Sequence, residues 1–168
     1  MTNQKSATLA LYITRRGVSF VFLLGTTPHD WGTKTVRKRD TAKIRKITRT
    51  LIEQYKPDTL VTEQKGAPRA KWVWSVCRSA IQFATRHSIP THRYARKDIQ
   101  QLFKAANASN KHQMNHVIMA TFPALKPRMP RKRLVWHTES YAQGLFDAAS
   151  LALVYLHTEH GHTIKIES

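Results

Sequence analysis

Two carboxylates in this sequence have surroundings that suggest catalytic chemistry. Glu63 follows the apolar segment of residues 59–62, and Asp147 interrupts the most apolar helical segment of the chain. A carboxylate in apolar surroundings costs free energy unless it is paired or binds a metal ion. Cleavage of a phosphodiester by two metal ions needs such carboxylates to converge, and Mg2+ prefers oxygen ligands. Glu63 and Asp147 are therefore the candidate metal ligands. The structural alternatives are a solvated strand end for Glu63 and a salt bridge to an arginine for Asp147.

The sequence contains ten acidic residues, few enough to be considered one by one. Glu139 precedes Asp147 by about 12 Å of rise in a continuous helix, so the two carboxylates could not easily share one ion. At the start of that helix, the helix dipole would stabilise Glu139 instead. Asp40, Glu53 and Asp58 are predicted to be a helix cap and surface residues.

The chain is strongly basic, with 28 Lys and Arg among 168 residues, a formal charge of +18 and a pI near 10.6. Such a charge predicts nucleic acid as the partner, ahead of an anionic membrane surface. No apolar run is long enough to span a membrane and no signal-peptide pattern is present, so the predicted location is cytoplasmic and nucleoid-associated. The single cysteine, Cys77, excludes an internal disulfide and a cysteine-based zinc cluster.

The basic residues are concentrated in residues 34–49, 65–78 and 126–133. Since few acids are available to pair with them, these surfaces are predicted to contact the phosphates of nucleic acid. One of the two tryptophans at positions 72 and 74 is expected to pack in the core, and the other is a candidate for stacking on a base. The predicted nucleic-acid contacts are Arg15, Arg16, Lys38, Arg39, Lys43, Lys46, Arg69, Lys71, Trp74, Arg131, Lys132 and Arg133.

The elements that must position these residues follow from hydrophobic periodicity. Three meandering strands are followed by alternating helices and strands, which predicts a mixed α/β sheet with helices on its faces. Residues 1–157 are predicted to form one domain and residues 158–168 a polar tail. The predicted strands cover residues 8–13, 18–24, 31–36, 59–62 and 92–94, and the predicted helices cover residues 40–55, 69–87, 97–105, 111–122 and 139–157, with a loop at 123–133.

This order, with an acid ending the fourth strand and another inside the last helix, resembles the RNase H-like fold. Within that fold, the chain resembles the RuvC-type Holliday-junction endonucleases over residues 8–157. The segments that carry the resemblance are residues 56–63, residues 94–99 followed by 110–111, and residues 146–153. The resemblance implies a five-stranded mixed sheet, with a three-stranded antiparallel meander and two parallel strands, flanked by helices. It also implies a homodimer that cleaves branched or junction DNA with Mg2+, for which Mn2+ can substitute.

Matched to the family's motifs, four positions have implied catalytic roles. Glu63 corresponds to the strand glutamate and Asp147 to the helix aspartate. Lys111 corresponds to the lysine that supports the scissile phosphate, and Glu139 is a further acid.

The first strand departs from the family's pattern, because it contains no acid. Tyr12 occupies the position of the family's aspartate when the chains are matched through Arg16 and Gly17, and Thr14 does so when they are matched by strand length. A neutral phenol cannot replace a carboxylate between two cations. Two functions therefore stay open. One is a magnesium-dependent junction endonuclease, and the other is a degenerate DNA- or RNA-binding module without nuclease activity. A role in RNA processing or in association with the ribosome is a third, weaker alternative.

Overall fold

The computed structural model describes residues 5–66, 69–130 and 141–164. Its strands are β1 (Ala7–Thr14), β2 (Gly17–Leu24), β3 (Thr27–Thr35), β4 (Thr59–Glu63) and β5 (Thr91–Tyr94). Its helices are α1 (Thr41–Tyr55), α2 (Lys71–Arg86), α3 (Arg96–Ala105), α4 (Lys111–Thr121), a 3-10 helix (Pro123–Arg128) and α5 (Tyr141–His160).

The strands form one mixed sheet in the order β3-β2-β1-β4-β5. β1, β2 and β3 pair antiparallel as a meander, whereas β4 runs parallel to β1 and β5 parallel to β4. β2 begins with a glycine, Gly17, because a Cβ there would overlap the carbonyl oxygen of Lys34 in β3. The predicted five-stranded mixed sheet is confirmed.

The two faces of the sheet are covered by different helices. Leu9, Leu11 and Ile13 of β1 share one buried cluster with α1 and α2. Ala10 lies on the opposite face with α5, and the half-buried Tyr12 packs against the same cluster. Successive side chains of a strand point to opposite faces, so Tyr12 and Glu63 lie on the face that α5 covers. This arrangement brings the candidate acids of β4 and α5 to the same side of the sheet.

α5 is apolar around most of its circumference because it is enclosed. It packs against β1 and β2 on one side and against α3 and α4 on the other. The approach to the sheet is close, since a Cβ at Gly144 would lie 2.7 Å from the hydroxyl of Ser19. α5 continues to His160, beyond its predicted end at residue 157, so the first residues of the predicted polar tail are helical.

Two other boundaries differ from the prediction. β3 begins at Thr27 instead of residue 31, because Gly25 adopts a φ of +63° and reverses the chain within a short turn. Pro28 is tolerated there because β3 is an edge strand. Pro123–Arg128 forms a 3-10 helix where a loop is predicted. Among the described helices, none combines the length and the apolar character of a transmembrane span.

The lone cysteine lies in the core on α2, with 4% of its surface exposed. Burial raises the pKa of the Cys77 thiol to about 11. We expect a thiol reagent at pH 8 to label the native protein very slowly, because the thiolate is the reactive form and is scarce below the pKa. Unfolding in guanidinium chloride should restore the labelling rate of an ordinary cysteine. Rapid labelling of the native protein at pH 8 would contradict the buried placement.

Candidate functional site

A cleft lies at the carboxyl ends of the parallel strands β1 and β4, the edge at which open α/β sheets bind ligands. Its wall contains the side chains of Tyr12 from β1 and Glu63 from β4, with Asp147 from α5 opposite. The start of α4 supplies Lys111. Three of the residues implied by the resemblance, Glu63, Asp147 and Lys111, therefore line one cleft. Glu139 lies outside the described residues.

Glu63 is buried, and its partner is an arginine from the loop before α2. The side chain of Glu63 is 6% exposed, and Arg69 Nη1 donates a hydrogen bond to its Oε2 in a salt bridge. Arg69 Nη2 donates to the backbone carbonyl of Ile13, and the guanidinium lies 4.7 Å from the centroid of the Tyr12 ring. Burial raises the pKa of the Glu63 carboxyl, while Arg69, Arg96 and Lys111 partly lower it.

Asp147 is held by polar groups of α4 and by its own helix. Lys111 Nζ lies 3.7 Å from Asp147 Oδ2, and Gln143 donates a hydrogen bond to Oδ1 at 3.2 Å. Gln143 lies one helical turn before Asp147 and is held by a pair of hydrogen bonds to the buried side chain of Asn115. Among the described residues, Lys111 of another helix is thus a cation beside Asp147, and the salt bridge to an arginine that the sequence suggested stays a prediction.

The donors among the described residues do not fit the two-metal centre that the resemblance implies. A divalent ion on Glu63 would stand beside the Arg69 guanidinium, which already pairs with that carboxylate. Tyr12, a phenol, occupies the wall where a carboxylate would be needed. No group of three or more His, Cys, Asp or Glu side chains in the described ranges could hold a metal ion. Glu63 and Asp147 are thus brought to one cleft, each with a basic side chain as its partner.

A second, basic cleft adjoins the first through Arg69. The turn between β1 and β2 contributes Arg15 and Arg16, which are exposed, and the segment before α1 contributes Lys38 and Arg39. We call this cleft, lined by Arg15, Arg16, Arg37, Lys38, Arg39, Arg69, Ala70, Trp72 and Val73, the basic groove. Among the residues that the structure describes, no acidic side chain lines this groove. A basic surface of this kind is expected to attract a phosphate backbone.

The two tryptophans of α2 differ in their placement. Trp74 is 8% exposed and packs in the core with β1 and β4, so it offers no ring face to a base, and its selection as a nucleic-acid contact is wrong. Trp72 is half-buried in the basic groove, with the Arg39 guanidinium 5.6 Å from its ring centroid. Helical periodicity could not separate the two, because both lie beside the apolar stripe.

Other predicted nucleic-acid contacts lie outside these two clefts. Lys43 and Lys46 are exposed on α1, and Lys71 is exposed at the start of α2. Arg131, Lys132 and Arg133 fall outside the described residues. Arg96 and Gln143 line the first cleft but were not predicted. The position of Gln143 one turn before Asp147 is a signal that could have found it.

No protein-family model and no curated protein sequence matches the chain significantly. Solved structures do match it. Thermus thermophilus RuvC matches with a TM-score of 0.65 at 10% identity, over 92% of this chain and 96% of that chain. T. thermophilus RuvC in complex with a Holliday junction substrate matches with a TM-score of 0.67 at 11% identity, over 95% and 98%. The yeast mitochondrial Holliday junction resolvase Ydc2 matches with a TM-score of 0.61 at 13% identity, over 91% and 80%. At these identities the similarity establishes the fold.

Proposed function

From the premise that this chain has a RuvC-like fold, we propose that it is a structure-selective nucleic-acid-binding protein that recognises branched or junction DNA. The observation that carries the proposal is the basic groove, which adjoins the cleft at the ends of β1 and β4 and whose described lining contains no acidic residue. The similar T. thermophilus RuvC structure contains a Holliday junction substrate and covers 95% of this chain. Binding to chromosomal junctions would associate the protein with the nucleoid.

Binding to a synthetic four-way junction, to linear duplex DNA and to a structured RNA tests the class of partner. We expect the junction to bind at least about 10-fold more tightly than the duplex at the same salt concentration, because only the branch presents several phosphate backbones to one surface. Fluorescence anisotropy with labelled probes measures the three affinities. Equal affinity for all three would contradict the proposal, and tighter binding of the RNA would favour the RNA-processing alternative.

A magnesium-dependent junction endonuclease is the second candidate function, because Glu63, Asp147 and Lys111 line one cleft. A nicking assay on the four-way junction, with Mg2+ or Mn2+, separates the two candidates. Since the donor set fits a two-metal centre poorly, we expect the wild type to nick no faster than Glu63→Gln. Nicking by the wild type that disappears in Glu63→Gln would instead favour the nuclease.

A four-way junction has four strands, which a two-fold axis relates in pairs, so a protein that recognises this symmetry is expected to be a symmetric dimer. We therefore propose a homodimer. Sedimentation of the free protein should give a mass twice the 19.3 kDa of the chain. A mass of one chain, both free and on the junction, would contradict this proposal.

A further inference from the structure

We infer that Arg69 is the resident cation of the first cleft, and that with Arg96 and Lys111 it binds a phosphodiester group of nucleic acid directly, with no divalent ion between protein and phosphate. The inference rests on the proposed function, because it takes nucleic acid as the partner. The inference goes beyond that function by naming the groups with which this cleft binds a phosphate of the nucleic acid.

Three contacts fix the Arg69 guanidinium between the ends of β1 and β4. One Nη donates to the Glu63 carboxylate, the other donates to the carbonyl of Ile13, and the plane lies near the Tyr12 ring. A tyrosine ring attracts a guanidinium through its negative π face, whereas it has no charge to offer a divalent ion. Tyr12, the residue that departs from the family's pattern, is therefore suited to an arginine at this position.

Arg69 also keeps donors available for a ligand. A guanidinium has five N–H groups in a planar fork that matches phosphate geometry. Two of its nitrogens are engaged by Glu63 and Ile13, and the side chain remains 18% exposed. Because Arg69 lines both the first cleft and the basic groove, a phosphate backbone that follows the groove would reach it.

The charge of the cleft favours an anion. Within the described part of the chain, its wall contains three basic side chains, Arg69, Arg96 and Lys111, against two acids, Glu63 and Asp147, which leaves one excess positive charge. Lys111 lies 3.7 Å from Asp147 and its side chain is 43% exposed, so its ammonium group can contact Asp147 and a phosphate together. A divalent cation would enter against this excess charge, whereas a phosphate would be attracted by it.

Manganese binding tests whether Arg69, and not a divalent ion, is the cation that pairs with Glu63 in the first cleft. Electron paramagnetic resonance measures free Mn2+ in titrations of the wild type, Arg69→Gln and Arg86→Gln. Arg86 is the matched control, because it is exposed at the end of α2, about 20 Å along the helix axis from its start. We expect Arg69→Gln to bind Mn2+ at least about 10-fold more tightly than the wild type or Arg86→Gln, since Glu63 then lacks its cation. The inference would be overturned if the wild type bound Mn2+ as tightly as Arg69→Gln or more tightly, and if Glu63→Gln abolished that binding.

Junction binding with and without a divalent ion tests the phosphate contact. At matched ionic strength, we expect the wild-type affinity in EDTA to equal that in Mg2+ within about twofold. Arg69→Lys keeps the positive charge and so protects the fold, but a lysine lacks the bidentate fork of a guanidinium. This variant should weaken junction binding about 10-fold in both buffers, the effect expected for the loss of one bidentate contact. Arg86→Gln should change binding less than twofold. Loss of wild-type binding in EDTA, or an Arg69→Lys effect no larger than that of Arg86→Gln, would overturn the inference.

These outcomes are distinguishable from failure of the proposed function. Junction-selective binding that disappears in EDTA would contradict the inference and leave the function intact. Unselective binding that survives in EDTA and depends on Arg69 would contradict the function and leave the inference intact.

Discussion

Replacement of Arg69 by glutamine is expected to lower the free energy of unfolding by about 3 kcal/mol, the lower end of the range for removing one partner of a buried ion pair. Glu63 is 6% exposed and would be left as a buried carboxylate without its cation. The carbonyl of Ile13 would also lose its donor. Urea denaturation followed by circular dichroism measures the change, and the slope of the transition should stay that of the wild type.

A double-mutant cycle with Glu63→Gln isolates the ion pair. In the Glu63→Gln background, Arg69→Gln should cost much less, because no buried charge remains to be compensated. Additive costs of the two replacements would mean that the salt bridge contributes no coupling to stability. Arg86→Gln, an exposed replacement of the same kind, should change the free energy of unfolding by no more than about 0.5 kcal/mol.

The pKa of Glu63 gives this cycle a pH dependence. Its pKa is raised by burial, so the folded state takes up the proton more readily than the unfolded chain. The contribution of Glu63 to stability is therefore present below the ordinary carboxyl pKa and is lost as the pH rises through the higher folded value. In Arg69→Gln, the stability lost as the pH rises should be larger, because the cation that stabilises the Glu63 carboxylate is gone. The Glu63→Gln variant should lack this component of the pH profile.

The second large effect is expected in the basic groove. The double variant Arg16→Gln/Lys38→Gln should weaken binding of the four-way junction by about 10- to 100-fold at a fixed salt concentration. Both side chains are exposed in a cleft without acids, where each would neutralise a phosphate. The slope of log affinity against log salt should become shallower by about 2, or about 1 for each lost phosphate contact. Anisotropy titrations at several salt concentrations measure both quantities.

A charge-matched control separates local contact from net charge. Arg86→Gln/Lys104→Gln removes the same charge from exposed positions that line neither of the two clefts. It should weaken junction binding less than about threefold and leave the salt slope nearly unchanged. If the control weakens binding as much as the groove variant, the total charge of +18 governs binding and the basic groove has no special part.

The sequence by itself determined most of the strands and helices, and its charge indicated a polyanionic partner. Alternation and helical spacing are local properties, so they located β1, β2, β4 and α1 nearly as the structure has them. The carboxylates Glu63 and Asp147 could be selected because a charge in an apolar segment is costly wherever that segment packs. The absence of an acid in the first strand was also visible in the sequence.

Only the tertiary structure decided which groups meet. That Arg69 returns to the ends of two strands, contacting both Glu63 and Tyr12, depends on the path of the loop before α2 and on no local pattern. The meeting of Lys111 with Asp147 depends on the packing of α4 against α5. Contacts between distant segments are fixed by packing of the whole chain, and here packing placed a basic side chain of the protein beside each candidate metal ligand.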